Sequence, residues 1–60
     1  MTGKEALRRL KKEGWMLVRV RGSHHALIKG QKRVSVPVHG NKELREGTYQ
    51  DIAKKAGWLK

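Results

Sequence analysis

Apolar residues near the start of the chain have the spacing of one face of a helix. The stripe that they form consists of Ala6, Leu7 and Leu10. Thr2 and Glu5 precede this stripe in the arrangement of a capping box, in which each side chain bonds to the backbone N–H of the other residue. Gly14 is suited to the position just after the last turn. We therefore expect a helix that begins after Thr2 and ends before Gly14.

Beyond this helix the apolar residues no longer follow the helical repeat. They recur at every second position, which is the period of a β-strand. From Trp15 to Arg21 one set of residues alternates with another: Met16, Val18 and Val20 against Leu17, Arg19 and Arg21. This alternation predicts a strand with the first set on a core. The Gly22-Ser23 dipeptide ends the strand and predicts a turn.

Two further strands are expected after this turn. The second extends roughly from His25 to Lys29 and is followed by Gly30-Gln31, a two-residue hairpin signal. In the third strand the alternating sets are Val34, Val36 and Val38 against Arg33, Ser35 and Pro37. Because proline has no N–H to donate to a sheet, Pro37 should lie on an edge or at the strand end.

A polar stretch from His39 to Gly47 predicts a loop before a second helix. Thr48 and Asp51 repeat the capping spacing, and Gly57 is placed to end the helix. The apolar stripe of this helix is Tyr49, Ile52, Ala53 and Ala56. The resulting order, α-β-β-β-α, predicts an α+β fold with two helices on one face of a three-stranded antiparallel sheet, and we expect residues 1–60 to form one domain.

The charge of the chain favours a polyanionic partner. Its 60 residues include 15 Lys or Arg against 5 Asp or Glu, a formal net charge of +10. Nucleic acid is favoured over a membrane surface because the basic residues are spread over helices and strands alike; a merely soluble charged surface is the plain alternative. The absence of cysteine excludes a disulfide scaffold. With no long apolar run and no signal-peptide pattern, a cytoplasmic location is expected.

Histidines are the candidates for acid–base chemistry, because their ordinary pKa lies near neutrality. His24 and His25 are adjacent at the entry to a strand, so their side chains should point to opposite faces and only one of them should act. Composition and spacing do not choose between the two. The residues expected to contact RNA beside them are Arg19, Arg21, Ser23, His25, Lys29 and Arg33.

On RNA, the simplest reaction for such a site is attack by the 2′-OH on the adjacent phosphorus. It needs a base, a cation for the developing charge and an acid for the leaving oxygen, and it needs no metal. The histidines and the few carboxylates have no recognisable ligand spacing, so neither a metal nor a cofactor is expected. Trp15 and Trp58 each follow a glycine that ends a helix, and we interpret them as closing the core, with base stacking as the alternative.

Four segments stand out in combination: Lys11 to Trp15 followed by Leu17 to Arg19, Gly22-Ser23-His24-His25, Val34 to His39, and Gly47-Thr48 with Ile52, Lys54, Ala56 and Gly57. Together, and nearly end to end, they resemble the HicA toxins, the mRNA-cleaving halves of HicA–HicB toxin–antitoxin pairs. The resemblance implies a fold like that of double-stranded-RNA-binding domains, and it implies that the histidine of the Gly-Ser-His element, His24, is catalytic. It also implies an mRNA substrate, metal-independent cleavage that inhibits translation, and a HicB antitoxin as the protein partner that masks His24.

Some points stay open at the level of sequence. The chain has Ala26-Leu27-Ile28 where the family often carries an aromatic residue, so alternation does not decide which face of the sheet His24 occupies. His39 matches a recurrent family position without a defined role. The rival interpretation is a non-catalytic RNA-binding module, for which fold and charge suffice; a DNA-binding regulator would need a recognition helix, and neither helix offers one.

Overall fold

Two helices and three strands follow one another in the predicted order, α-β-β-β-α, in the computed structural model, which describes residues 1–59. The helices are α1 (Gly3–Lys12) and α2 (Glu46–Ala56), and the strands are β1 (Met16–Arg21), β2 (His24–Lys29) and β3 (Lys32–Pro37). The strands form one antiparallel sheet with β2 in the centre. The predicted α+β fold class is therefore confirmed.

The capping box predicted for α1 is present. The Thr2 hydroxyl accepts a hydrogen bond from the Glu5 N–H at 3.2 Å, and the Glu5 carboxylate accepts one from the Thr2 N–H at 2.9 Å. The backbone N–H of Thr2 first, and then the Thr2 side chain, interact with the Glu5 carboxylate and hold its pKa below the ordinary value. The helix ends as expected, because Gly14 adopts a φ of 97° that favours glycine.

The predicted start of α2 is wrong. Its N-cap is Arg45, three residues before Thr48, and no side chain caps the helix. The chain is held extended just before this point, since the Leu44 N–H donates to the Met1 carbonyl at 2.8 Å and Thr2 pairs with Glu43. The helix therefore begins directly after this extended segment, and Thr48 lies inside its first turn. The end is as predicted, with Gly57 at a φ of 79°.

Both hairpins use a two-residue turn that opens with glycine. Gly22 and Gly30 have φ values of 59° and 62°, a conformation that favours glycine and is typical of the first residue of a type II′ turn. The turns pair Arg21 with His24 and Lys29 with Lys32. The Gly30-Gln31 hairpin is thus confirmed, and β2 begins at His24, one residue earlier than the rough boundary predicted.

The facing predicted for β1 is wrong at the start of the strand, where Leu17 and not Met16 lies on the core side of the sheet. Met16, Val18 and Val20 are 65%, 48% and 55% exposed, and Leu17 is the β1 residue that packs on the core. The register between β1 and β2 shifts between Leu17 and Arg19, so Val18 forms a β-bulge that interrupts the alternation. In addition, β1 is an edge strand, and both helices pack against β3 at the other edge.

The core lies between the helices and one face of the sheet. Its fully buried large side chains come from both helices, β2 and β3: Leu10, Leu27, Val34, Val36 and Ile52. Trp15 is 4% exposed, and Trp58 packs against this cluster, as expected for residues that close the core. The opposite face of the sheet is left open. Within residues 1–59, no helix is long and apolar enough to cross a membrane.

Candidate functional site

His24 lies on the open face of the sheet. It is the first residue of the central strand, it is exposed, and it pairs with Arg21 on one side and Pro37 on the other. Alternation along β2 places His24, Ala26 and Ile28 on one face and His25, Leu27 and Lys29 on the other. Because Leu27 is fully buried under the helices, His24 must face away from them.

The backbone around His24 is fixed on both sides. The Val38 N–H donates to the Ser23 carbonyl at 2.7 Å, which makes residues 23 and 38 a hydrogen-bonded pair and leaves His24 and Pro37 as the non-hydrogen-bonded pair beside it. Side chains approach most closely in such pairs, and Pro37 loses no ladder bond there. The proline therefore packs beside His24 without weakening the edge strand, as the sequence predicted for its position.

Arg19 and Arg21 share the face of His24 because of the bulge in β1. Arg21 is the direct cross-strand neighbour of His24, and Arg19 pairs with Ala26 in the next row. Directly opposed residues share a face, with Cβ atoms about 4.5–5.5 Å apart. A strict alternation from Leu17 would have put both arginines on the helix-covered side. The extra residue at the bulge reverses this, and it brings two guanidinium groups next to the histidine.

Arg33 and Ser35 complete a set that we call the open-face cluster, consisting of Arg19, Arg21, His24, Arg33 and Ser35. Ser35 pairs with Ala26, and Arg33 pairs with Ile28. At about 7 Å between alternate residues of a strand, Arg33 lies roughly two rows, or 13 Å, from His24. It could therefore contact a phosphate other than the one nearest to the histidine.

The open-face cluster has no carboxylate near it in sequence. Between Glu13 and Glu43 the chain has no Asp or Glu, and this stretch contains all three strands. The acidic residues lie on α1 or at its C-cap, on α2 and in the loop before α2. The positive potential of the open face is therefore not neutralised by neighbours on the sheet, which makes it suited to a chain of phosphates.

Three residues predicted to contact RNA lie away from the cluster. His25 is half-buried on the helix-covered side, with its Nδ1 3.2 Å from the Ser23 carbonyl. The Lys29 ammonium donates to the Glu13 carbonyl at 2.7 Å at the end of α1. Ser23 is half-buried in the turn, and its carbonyl holds Val38. These three predictions stay predictions, and the structure separates their side chains from that of His24.

One cavity beside the cluster was missed at the level of sequence. It adjoins Pro37 and is lined by basic and hydroxyl side chains of the loop and of α2 that were assigned to a plain loop and a helix cap: His39, Lys42, Arg45 and Thr48. The only signal was His39, at a recurrent position without a role. In residues 1–59, no three His, Cys, Asp or Glu side chains are grouped so that they could hold a metal ion.

Comparison with known families bears on the same residues. The family model described as the HicA toxin of bacterial toxin–antitoxin systems matches residues 3–58. The chain belongs to the HicA toxin family. The match includes both helices, all three strands and the open-face cluster, so this HicA family member is a toxin-type component of a toxin–antitoxin system. A comparison with curated proteins gave no match.

Proposed function

We propose that this HicA family member is an endoribonuclease that cleaves mRNA and thereby inhibits translation. The observation that carries the proposal is the position of His24, exposed on the open face with Arg21 as its direct cross-strand neighbour. A proton-transferring group and a cation are two of the three components that transesterification of RNA needs at one phosphate. Family membership supports the toxin role.

In the proposed reaction, the 2′-OH of one nucleotide loses its proton and attacks the adjacent phosphorus. The bond from phosphorus to the 5′-oxygen of the next nucleotide breaks, and that oxygen gains a proton. His24 takes the first of these protons or gives the second, water exchanges the other proton, and Arg21 stabilises the charge that develops on the phosphate oxygens. The products are a 2′,3′-cyclic phosphate end and a 5′-hydroxyl end, and DNA is not cleaved because it has no 2′-OH.

Phosphate contact is proposed for the arginines of the open-face cluster. Arg19 and Arg21 lie within one row of His24, whereas Arg33 lies two rows away, so the cluster can follow a single strand of RNA over more than one phosphate. The reaction as proposed needs no metal, because the histidine and the guanidinium groups supply its proton transfer and its charge stabilisation. A single domain acting in the cytoplasm is part of the same proposal.

A HicB-type antitoxin is the proposed protein partner, and we expect it to cover the open face. An acidic surface would complement three arginines that have no carboxylate beside them on the sheet. Such a partner would mask His24 and compete with RNA for the same guanidinium groups. Binding of the antitoxin and binding of RNA should therefore exclude each other.

Single-turnover cleavage of RNA by the parent, His24→Ala and His25→Ala tests the assignment. We expect His24→Ala to slow cleavage by about 10²–10⁴-fold, the usual contribution of a general acid or base, and to relieve growth arrest. The His25→Ala variant should keep most of the activity, because that ring lies on the other face. Thermal unfolding of both variants separates lost chemistry from lost folding.

Four outcomes would contradict the proposal. Undiminished cleavage by His24→Ala would remove His24 from the reaction, and loss in His25→Ala alone would transfer the role to that residue. Cleavage that stops in EDTA would contradict the metal-independent mechanism. Salt-sensitive binding of RNA that the parent leaves intact would make the protein a non-catalytic RNA-binding module.

A further inference from the structure

The cavity next to His24 has the size of a small-ligand site. It has a volume of about 400 Å³ and lies between the end of β3, the loop that follows it and the first turn of α2. Sites for small molecules typically enclose about 300–1,000 Å³, so the space is enough for one small ligand. Pro37 is common to the cavity and to the open face, because it lines the former and pairs with His24 on the latter.

The polar side of the cavity is suited to a phosphate. His39, Lys42 and Arg45 line it and are exposed, so that their donors can reach a ligand. Thr48 adds a hydroxyl that does not cap α2, since the helix begins at Arg45 without any side-chain cap. The carboxylate of Glu43 also lines the cavity, but it is engaged by the Met1 amino group at 2.5 Å.

The remaining walls are apolar and offer a surface for a flat ring. Pro37 and Leu44 are half-buried and line the same cavity as the cationic groups, and the imidazole of His39 can stack on a base. A ligand that combines an anionic group with a planar, partly apolar group would satisfy both sides. A nucleotide has this combination.

We propose that this cavity binds one nucleotide of the RNA strand, next to the nucleotide whose phosphate lies at His24. Lys42 and Arg45 hold its phosphate, and the base packs against Pro37, Leu44 and His39. The inference rests on the proposed function for the identity of the strand. It adds a second binding site, built from the loop and α2 instead of the sheet, and this site would favour certain bases at the position beside the cleaved bond.

The test compares two double variants in a His24→Ala background, in which RNA stays intact. Lys42→Ala/Arg45→Ala removes the proposed phosphate ligands. Lys32→Ala/Lys54→Ala removes the same charge from the far hairpin and from the last turn of α2, outside both the cavity and the open-face cluster. All four residues are exposed, so both variants should fold, and thermal unfolding checks this. The probe is a short single-stranded RNA of mixed sequence.

Relative to this control, we expect Lys42→Ala/Arg45→Ala to lower the affinity for RNA about tenfold or more. The dependence of log Kd on log salt should also lose about 0.7 units of slope, because each phosphate neutralised on a single strand contributes about 0.7 and the two side chains hold the same phosphate. Equal affinity and equal slope in the two double variants would overturn the proposal. In single-turnover cleavage with His24 present, the same variant should change the preference for the base beside the cleaved bond.

NMR spectra of the ¹⁵N-labelled protein, recorded with added ligand, distinguish a nucleotide site from a site for any anion. Uridine 3′-monophosphate should shift the amide signals of His39 and Thr48 and bind more tightly than inorganic phosphate; equal binding of the two would overturn the assignment to a nucleotide. A failure of the proposed function would give a different result from a failure of the nucleotide site. If the parent does not cleave RNA but binds it through Lys42 and Arg45, the reaction is wrong and the nucleotide site stands.

Discussion

Gly3→Ala is expected to destabilise the protein, although alanine ordinarily stabilises a helix. Gly3 is the first residue of α1 and is buried against the end of β3. A Cβ atom at this position would lie 2.3 Å from the Pro37 carbonyl oxygen and 3.0 Å from the Val38 Cα. Both are backbone atoms, so neither can be rotated away as a flexible side chain could.

The size of the effect follows from two opposing contributions. Replacing glycine in a helix gains up to about 1 kcal/mol. Overpacking a well-packed site typically costs about 1–3 kcal/mol. Cβ atoms essentially never come closer than 3.0 Å to another heavy atom, so relieving the 2.3 Å contact needs a shift of α1 away from Pro37 by about 0.7 Å. We expect a net loss of about 1–2 kcal/mol, and a fall in Tm of roughly 4–16 °C for a domain of this size.

Thermal and urea unfolding followed by circular dichroism measures the effect, and Gly47→Ala is the matched control. Gly47 also lies in the first turn of a helix, but a Cβ atom there would have nothing within 4 Å. That variant should be as stable as the parent or more stable. If Gly3→Ala is as stable as Gly47→Ala in both unfolding measurements, α1 does not approach Pro37 as closely as described. The position of Pro37, which pairs with His24 and lines the cavity, would then be wrong.

Two further predictions concern the residues at the end of α1. Hydrogen bonds from Trp58 at 2.6 Å and from Arg9 at 3.0 Å hold the pKa of Glu13 below its ordinary value of 4.5. This carboxylate therefore stabilises the fold above pH 4.5, and its contribution is lost as the pH falls through its lowered pKa. The Tm of the parent should fall between pH 6 and pH 3, and the Tm of Glu13→Gln should fall by less over the same range. Lys29→Ala should lower Tm more than Lys32→Ala, because it removes the bond to the Glu13 carbonyl. We expect the two variants to bind RNA with equal affinity in a His24→Ala background. A loss of affinity confined to Lys29→Ala would instead support the RNA contact predicted for that residue from the sequence.

The elements of the fold could be predicted because each has a local signal. Thr2 and Glu5 satisfy each other's backbone N–H groups, and Gly14 and Gly57 adopt the positive φ that their positions after the helices predicted. Val34 and Val36 alternate onto the core as their spacing indicated. The start of α2 could not be predicted in this way, because it depends on pairing between Thr2 and Glu43, residues far apart in the sequence.

The bulge in β1 could not be predicted for a related reason. A bulge has no signal in a run such as Met16–Arg21, where every residue is apolar or basic and either phase is compatible with a strand. It becomes visible only through the register, in which Leu17 opposes Leu27 and Arg19 opposes Ala26. Alternation correctly separated His24 from His25, but it could not say which of them lay outside, because Leu27 and Ile28 are both apolar.

The net charge of +10 says less about the interface than the placement of the five carboxylates does. Glu5 closes a helix cap, Glu13 binds Arg9 and Trp58, and Asp51 pairs with Lys55 one turn along α2. These acids offset basic residues on the helices, where the surface is otherwise as rich in lysine and arginine as the sheet is. The strands carry no carboxylate to offset their positive charge, and the bulge places Arg19 and Arg21 on the same face as His24. A polyanion that binds the open face would therefore meet an exposed histidine, and this coincidence is the reason why we propose a site for reaction and not only a surface for binding.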